Sequence, residues 1–524
     1  MKIIHFLLLS LFSLSIYAQE TSQIFAKKTP LTDVQLKRWS HLDLEKDSIP
    51  GMSVDKAYTE LLKNKKGVKV IVAVVDSGVD IDQEDLKSVI WTNPKEIPNN
   101  GKDDDKNGFI DDVHGWNFLG NSNNENLEMV RILKKADDGS EVYKRALADY
   151  TREYKDALDL KENADVIFNA DKIVRDFLKK DNYTLSELKD MPSVKFELYD
   201  SKRIMLSYAT QKGATFHDDL QDFKESVYDR IDYNLNKDFS PRKLVGDNPD
   251  DINDKKYGTN VVYSKDRKDS LHGTHVAGII AQVRNNGIGG DGVAGNVEIM
   301  PVRAVPNGDE YDKDIALAIR YAVDNGAKVI NGSFGKDYSP YAQWVYDAIQ
   351  YAESKDVLIV HAAGNDAKNI DTAPNFPSDE VNGKEIANNL LTIGALNYQY
   401  GEKLVAAFSN YGKMNVDVYA PGVKIYATVP GNKYKFLQGT SMAAPNAAGV
   451  AALIRSYYPN LKAAQVKQIL MQSGTPLNLD VIVDEQKILI PFAEASASGK
   501  IVNAYNALKM AEEMSNKVKN NPKL

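Results

Sequence analysis

Residues 68–75 read Val-Lys-Val-Ile-Val-Ala-Val-Val and run straight into Asp76-Ser77-Gly78. β-branched residues at nearly every position suit extended backbone. A strand apolar on both faces belongs in the middle of a parallel sheet covered by helices. Asp76 then stands at the strand's carboxyl end, where open α/β sheets place their ligands. An aspartate in a turn after a strand is the plainer account of it. Asp-Ser-Gly also matches the aspartic-protease motif, but that chemistry needs a second such carboxylate, and no other Asp-Ser-Gly or Asp-Thr-Gly occurs.

Further along, the text alternates as a parallel α/β sheet requires. Strands are expected at Ile299–Ala304, Lys328–Asn331, Val357–Val360 and Leu391–Ala395, with helices at Lys313–Asp324 and Tyr341–Ser354. His272 opens a Gly- and Ala-rich helix reaching Ala281. At a helix N-terminus the dipole should push its pKa down and keep the imidazole neutral, able to accept a proton. His275 lies three residues on, but no nearby Glu or His completes a zinc-type set, so it reads as a structural, hydrogen-bonded histidine. Asn365 follows an apolar strand and a glycine, and could aim its amide at the sheet's carboxyl edge or serve as a turn asparagine. Ser441 precedes a buried helical run, Met442–Ile454, with Pro445 expected in the first turn, where a missing N–H costs little. A serine there is usually an N-cap, yet the positive end of a helix also suits a hydroxyl whose reaction creates an oxyanion.

Two segments stand apart. In Lys102–Asp112, the residues Asp103, Asp105, Asn107, Phe109 and Asp111 follow the spacing of a calcium loop, Phe109 through its carbonyl. The twelfth position is His114 where a bidentate Glu is expected. A structural calcium is the expectation, against a solvated acidic turn. Between about 120 and 260 the text becomes helical: Tyr143, Leu147, Tyr150, Tyr154 and Leu158 recur at helical spacing, as do Val166, Ala170, Ile173 and Phe177. Thr184 with Glu187 offers a capping box, and Leu220, Phe223 and Val227 one more helix. This is a helical insertion.

The N-terminus carries Lys2, an apolar stretch from Ile3 to Leu14, and a cleavage point after Ala18, which is the pattern of a secretory signal peptide. Its apolar run is too short to span a bilayer, and no later segment is long enough. With no cysteines, disulfides, thiol chemistry and cysteine-borne lipid anchors are excluded. A balance of 65 basic to 73 acidic residues, net −8, disfavours nucleic acid as a partner. A secreted monomer, extracellular or periplasmic, without a membrane anchor is expected.

Taken together, Val74-Val75-Asp76-Ser77-Gly78-Val79-Asp80, His272-Gly273-Thr274-His275-Val276-Ala277-Gly278 and Gly439-Thr440-Ser441-Met442-Ala443-Ala444-Pro445 resemble, in that order, the subtilisin-like serine proteases (subtilases). The order Asp, His, Ser is itself a known mark of that family. The resemblance implies an α/β fold, a parallel sheet with helices on both faces, interrupted by the helical insertion. It also implies a serine endopeptidase acting on peptides or proteins through an acyl-enzyme: Ser441 as nucleophile, His272 as general base and acid, Asp76 as the carboxylate that holds the ring. Asn365 would be the oxyanion-hole asparagine, Ser333-Phe334-Gly335 the segment that pairs with substrate backbone, and Phe376-Pro377 a site where the family can carry a cis proline. The domain reading is a signal peptide 1–18, a short segment 19–38, a peptidase domain 39–511 interrupted at about 120–260, and a polar tail 512–524. The separation of Asp76 from His272 departs from the family's usual few tens of residues. About twenty residues between Ala18 and Trp39 leave no room for a full pro-domain.

Overall fold

The computed structural model describes residues 27, 29–192 and 195–520; the signal-peptide reading lies outside them. The described residues divide into two compact units, one made of those within 27–123, 242–306 and 310–520, the other of those within 124–241 and 307–309.

The first unit is built on a nine-stranded sheet. Its strands are β1 (Val70–Asp76), β2 (Trp116–Asn117), β3 (Val297–Arg303), β4 (Val329–Gly332), β5 (Leu358–Ala362), β6 (Leu390–Leu396), β7 (Val418–Pro421), β8 (Thr475–Pro476) and β9 (Lys500–Ile501). They lie in the order β8-β9-β7-β6-β5-β4-β1-β3-β2, all parallel except the edge pair β8/β9. This is an α/β fold built on a mostly parallel sheet, and the expected strands are all present with ends shifted by one or two residues.

β1 shows why its residues dictate its place. Val70, Val72 and Val74 enter one apolar core, and Ala73 and Val75 enter the other. Burying each such aliphatic side chain stabilises the fold by about 1.5–3 kcal/mol. Helix α1 (Leu271–Ala281) and helix α4 (Thr440–Tyr457) belong to the first core, while α2 (Asp312–Asp324) and α3 (Ala342–Ser354) cover the second. α4 is buried all round, from Met442 to Ser456. The chain passes from β3 to β4 across β1, so the strand order reverses beside β1. A crevice forms at such a switch point, outside the carboxyl ends of the strands.

The second unit is helical: Glu128–Leu133, Glu141–Leu178, Leu185–Asp190, Phe196–Lys212 and Phe216–Asp229. The two helical patterns expected around Tyr154 and Ile173 are one continuous helix of 38 residues, started by Ser140 capping Tyr143 N–H at 3.1 Å and ended by Lys179 at φ 56°. Its buried face follows the expected stripe only at Ala170, with Ile173 packed partly against it. Leu147, Leu158, Val166 and Phe177 are exposed, while Ala146, Ala157, Ala164, Ala170 and Val174 are buried. Small side chains let neighbouring backbones approach, and that outweighs the size of the larger ones. The capping box at Thr184 and Glu187 forms. Val174, Tyr183, Leu188, Met205, Phe216 and Leu220 give this unit a core of its own. Among the described residues, no helix is long and apolar enough to cross a membrane.

Candidate active site

Three neighbouring strands end at the crevice, and each hands over a candidate residue. β1 ends in Asp76, β4 runs into Ser333–Gly335, and β5 leads through Ala363 and Gly364 to Asn365. Helices α1 and α4, which carry His272 and Ser441, pack against each other.

Asp76 is 1% exposed. Its Oδ1 accepts from Ser77 N–H and from His272 Nδ1, both at 2.7 Å. A carboxylate oxygen can only accept, so Nδ1 carries the proton and Nε2 is left as the basic nitrogen. Gly273 permits this pairing: a Cβ there would stand 2.2 Å from Gly78 O and 3.1 Å from Asp76 Cβ. Only a glycine lets α1 come this close to the end of β1. The pKa of His272 differs from the sequence expectation. Burial pushes it down, but the charge and hydrogen bond of Asp76 outweigh this and raise it above 6.5. Contact with one full charge exceeds the partial charge of a helix end. The side chain nevertheless remains 37% exposed, which leaves the ring accessible from the crevice. His275 is buried, bonded through Nε2 to Lys435 O at 3.1 Å, and burial lowers its pKa to about 3.

Ser441 is the second residue of α4, which begins at Thr440. Pro445 therefore lies just beyond the first turn, where its missing N–H would deprive Ser441 O of its helical partner. Ser333 Oγ takes that carbonyl at 2.9 Å, and Ser333 Oγ is itself oriented by Asn331 Nδ2 at 2.9 Å. Ser441 Oγ in turn faces Ser333 O at 3.4 Å. The proline thus frees an acceptor that ties the serine to Ser333–Gly335. His361 Nε2 holds Phe334 O at 2.8 Å, and the Phe376–Pro377 bond is cis.

Asn365 Oδ1 accepts from Thr440 N–H at 2.8 Å and Thr440 Oγ1 at 3.0 Å. The amide's oxygen is therefore committed to α4, and its NH₂ remains to donate. In the first turn of α4, where N–H groups lack helical acceptors, Asn365 takes that of Thr440 and Gly439 O those of Met442 and Ala443, at 3.0 and 3.3 Å, which leaves the Ser441 N–H. Donors of these two kinds at one helix end suit a developing oxyanion.

The acidic loop is arranged differently from the sequence reading. Asp103 accepts from Asn107 and Gly108 N–H, at 3.0 and 2.9 Å. Asp111 accepts from Asn100 and Gly101 N–H, at 3.1 and 2.8 Å. Asn107 Oδ1 accepts from Phe109 N–H at 2.8 Å, and the Phe109 ring stacks edge-on with Trp116 and Tyr321. The carboxylates that converge are Glu96, Asp105 and Asp112, with ligand oxygens within 4.8 Å of one another. Of the three predicted carboxylate ligands, Asp105 belongs to this cluster and Asp103 and Asp111 do not, while Asn107 Nδ2 donates to Asp112 Oδ2 at 3.0 Å. Asp111 adopts φ 53°, and at that left-handed turn its carboxylate goes to the Asn100 and Gly101 N–H groups while that of its neighbour Asp112 joins the cluster. Glu96 has no spacing signal linking it to the loop; its presence could not be read from the motif. Glu96 Oε2 is buried without a hydrogen-bond partner. Burial, with Asp105 adding repulsion, pushes Asp112 up to about 6 despite bonds from Tyr321, Asn107 and Asn93. An orphaned oxygen and crowded carboxylates are what a hard cation with oxygen ligands would relieve.

A family model described as "Subtilase family" matches residues 67–487. Among curated relatives, the thermophilic serine proteinase of Bacillus sp. (strain AK1) is 41% identical over 208 residues, 40% of this chain and 47% of the relative. Thermitase of Thermoactinomyces vulgaris is 41% identical over 186 residues, 35% of this chain and 61% of the relative. The chain thus spans about half the length of the curated relatives it matches. A solved structure of a protease from Pseudoalteromonas arctica shares 32% identity, covering 48% of this chain and 74% of its own, with a TM-score of 0.38.

Proposed function

This chain belongs to the subtilase family, and from that premise we propose that it is a secreted serine endopeptidase working through Asp76, His272 and Ser441. The observation that carries the reading is the 2.7 Å bond between buried Asp76 and His272 Nδ1, which leaves Nε2 as a base in an accessible ring. Ser441 Oγ attacks the substrate carbonyl carbon while His272 Nε2 takes the hydroxyl proton. The carbonyl oxygen gains the negative charge and is met by Asn365 Nδ2 and the Ser441 N–H. Asp76 keeps the ring in the right tautomer and stabilises the imidazolium. As the tetrahedral intermediate collapses, His272 returns the proton to the leaving amine and an ester to Ser441 remains. Water, deprotonated by the same nitrogen, then releases the acid. Ser333–Gly335 pairs with the extended backbone of the substrate, a form of strand addition.

Export rests on the signal-peptide pattern of residues 1–18, and the peptidase domain on residues 39–511 with the helical insertion between. Glu96, Asp105 and Asp112 would hold a calcium ion, whose contribution is structural, tying the loop after β1 to its flank.

The test is a fluorophosphonate probe followed by peptide mapping. A single adduct on Ser441, lost in Ser441→Ala with the fold retained, is the expected result. No adduct in folded wild-type protein, or full peptide hydrolysis by Ser441→Ala, would overturn the mechanism.

A further inference from the structure

The cavity beside Ser333–Gly335 is filled by one of the protein's own charges. Lys336 follows that segment directly, and its N–H and C=O exchange hydrogen bonds with Phe376, both at 3.0 Å. Its side chain turns inward and is 2% exposed. Nζ donates to Glu310 O at 2.7 Å and pairs with Asp312 Oδ1 at 2.9 Å. Asp312 opens α2, and its carboxylate also accepts from Ser339 Oγ and Tyr341 N–H, each at 2.8 Å. Phe334, Ile315, Val345 and Pro377 complete the wall, and only about 10 Å³ of free space is left, roughly room for one water.

A buried ion pair is a poor way to add stability, because desolvation of both charges offsets their attraction and an apolar filler of similar volume does as well or better. What a lysine does here that an apolar residue cannot is reach a named carbonyl and a named carboxylate on another segment. One residue thereby joins three pieces of chain: it ends Ser333–Gly335, its backbone pairs with the loop at Phe376–Pro377, and its side chain reaches the start of α2. We propose that Lys336 is a positioning residue for extended peptide substrates, holding Ser333–Gly335 in place for backbone pairing through its bond to Glu310 and its ion pair with Asp312. The inference rests on the peptidase reading above and deepens it. A substrate that spans the segment depends on this tie. One too short to reach it does not. A second consequence follows from the chemistry of the cavity: without the lysine side chain, a space floored by the Asp312 carboxylate and the Glu310 carbonyl accepts a small alkylammonium in place of Nζ.

The experiment compares wild type and Lys336→Ala on a tetrapeptide amide and on a single-residue ester, with and without propylamine. The expected result is a KM for the tetrapeptide raised about tenfold with kcat within about twofold. The ester should be hydrolysed as by wild type, and propylamine should restore the tetrapeptide KM by at least about threefold. Equal losses on both substrates would mean a merely structural role, and no loss on either would mean none; both overturn the proposal. Should Lys336→Ala fail to fold, Lys336→Met combined with Asp312→Asn removes both charges at conserved volume, and the same length-dependent rise in KM is expected. Unchanged kinetics in that folded double variant would also overturn it. If wild type itself hydrolyses neither substrate, the peptidase reading fails and this one with it. An active wild type with length-blind variants sinks the positioning role alone.

Discussion

Asn365 can present its amide in only one sense. The Thr440 N–H needs an acceptor, so Oδ1 faces α4 and the NH₂ is left for the substrate side. On the proposed mechanism the oxyanion loses one donor in Asn365→Ala, and turnover is expected to fall about 10²–10³-fold with KM nearly unchanged. Steady-state kinetics on a chromogenic peptide separates the two constants, and a change confined to KM would give the amide a different task. At His272 the sign follows from its raised pKa. Below that pKa the ring is protonated and cannot accept the serine proton; above it the ring is neutral. Turnover should therefore rise with pH along a limb centred above 6.5. Asp76→Asn removes the anion responsible and leaves burial as the dominant influence. The limb should then move to lower pH, with turnover reduced about 10⁴-fold, as expected for the wrong tautomer. A flat wild-type profile between about pH 5 and 8 would argue against a histidine base.

The acidic loop works as an element, not as separate residues. Its backbone N–H groups are capped by Asp103 and Asp111, and this turns Asp105 and Asp112 toward Glu96. Folding alone leaves these carboxylates crowded, and a cation bound only by the folded state would offset their repulsion. At a calcium concentration about 100-fold above Kd the gain is about 2.7 kcal/mol. Thermal melting in calcium and in chelator should differ in wild type and in Asp103→Ala, and coincide in Asp105→Asn/Asp112→Asn. The reverse pattern, with the response lost in Asp103→Ala and kept in the double variant, would restore the ligand set suggested by the loop's spacing.

At the scale of the whole molecule, two units do two jobs. The sheet unit brings the ends of β1, β4 and β5 to one edge, and the helical unit closes around Met205, Leu188 and Val174, all fully buried. Met205→Ala should cost that unit about 2–5 kcal/mol through lost burial and the cavity left behind. Hydrogen exchange is the measurement. Amides between Glu141 and Asp229 should lose protection while those of β1 and β4 keep theirs. Equal loss in both sets would mean that the two units open together.

How much of this was legible beforehand divides along a physical line. The strand ending at Asp76, the Gly/Ala helix after His272 and the apolar helix after Ser441 follow from local periodicity and composition, which act over a few residues and can be read in one dimension. The three motifs around those residues, in their order, also pointed to the family. The rest depends on through-space partners. The direction of the His272 shift needed the distance to Asp76. The meaning of Pro445 needed Ser333, 112 residues earlier in the chain, to claim the carbonyl it frees. Asp111 and Asp112 are adjacent and chemically alike, so only a left-handed turn decides which of them faces the acidic cluster. In the long helix, alanines face inward because helix-to-helix distance, not side-chain size, selects them. Lys336 looks like any surface lysine in the sequence; the tertiary structure alone makes it a buried tie, since Glu310 and Asp312 meet it only once β4 and α2 have packed.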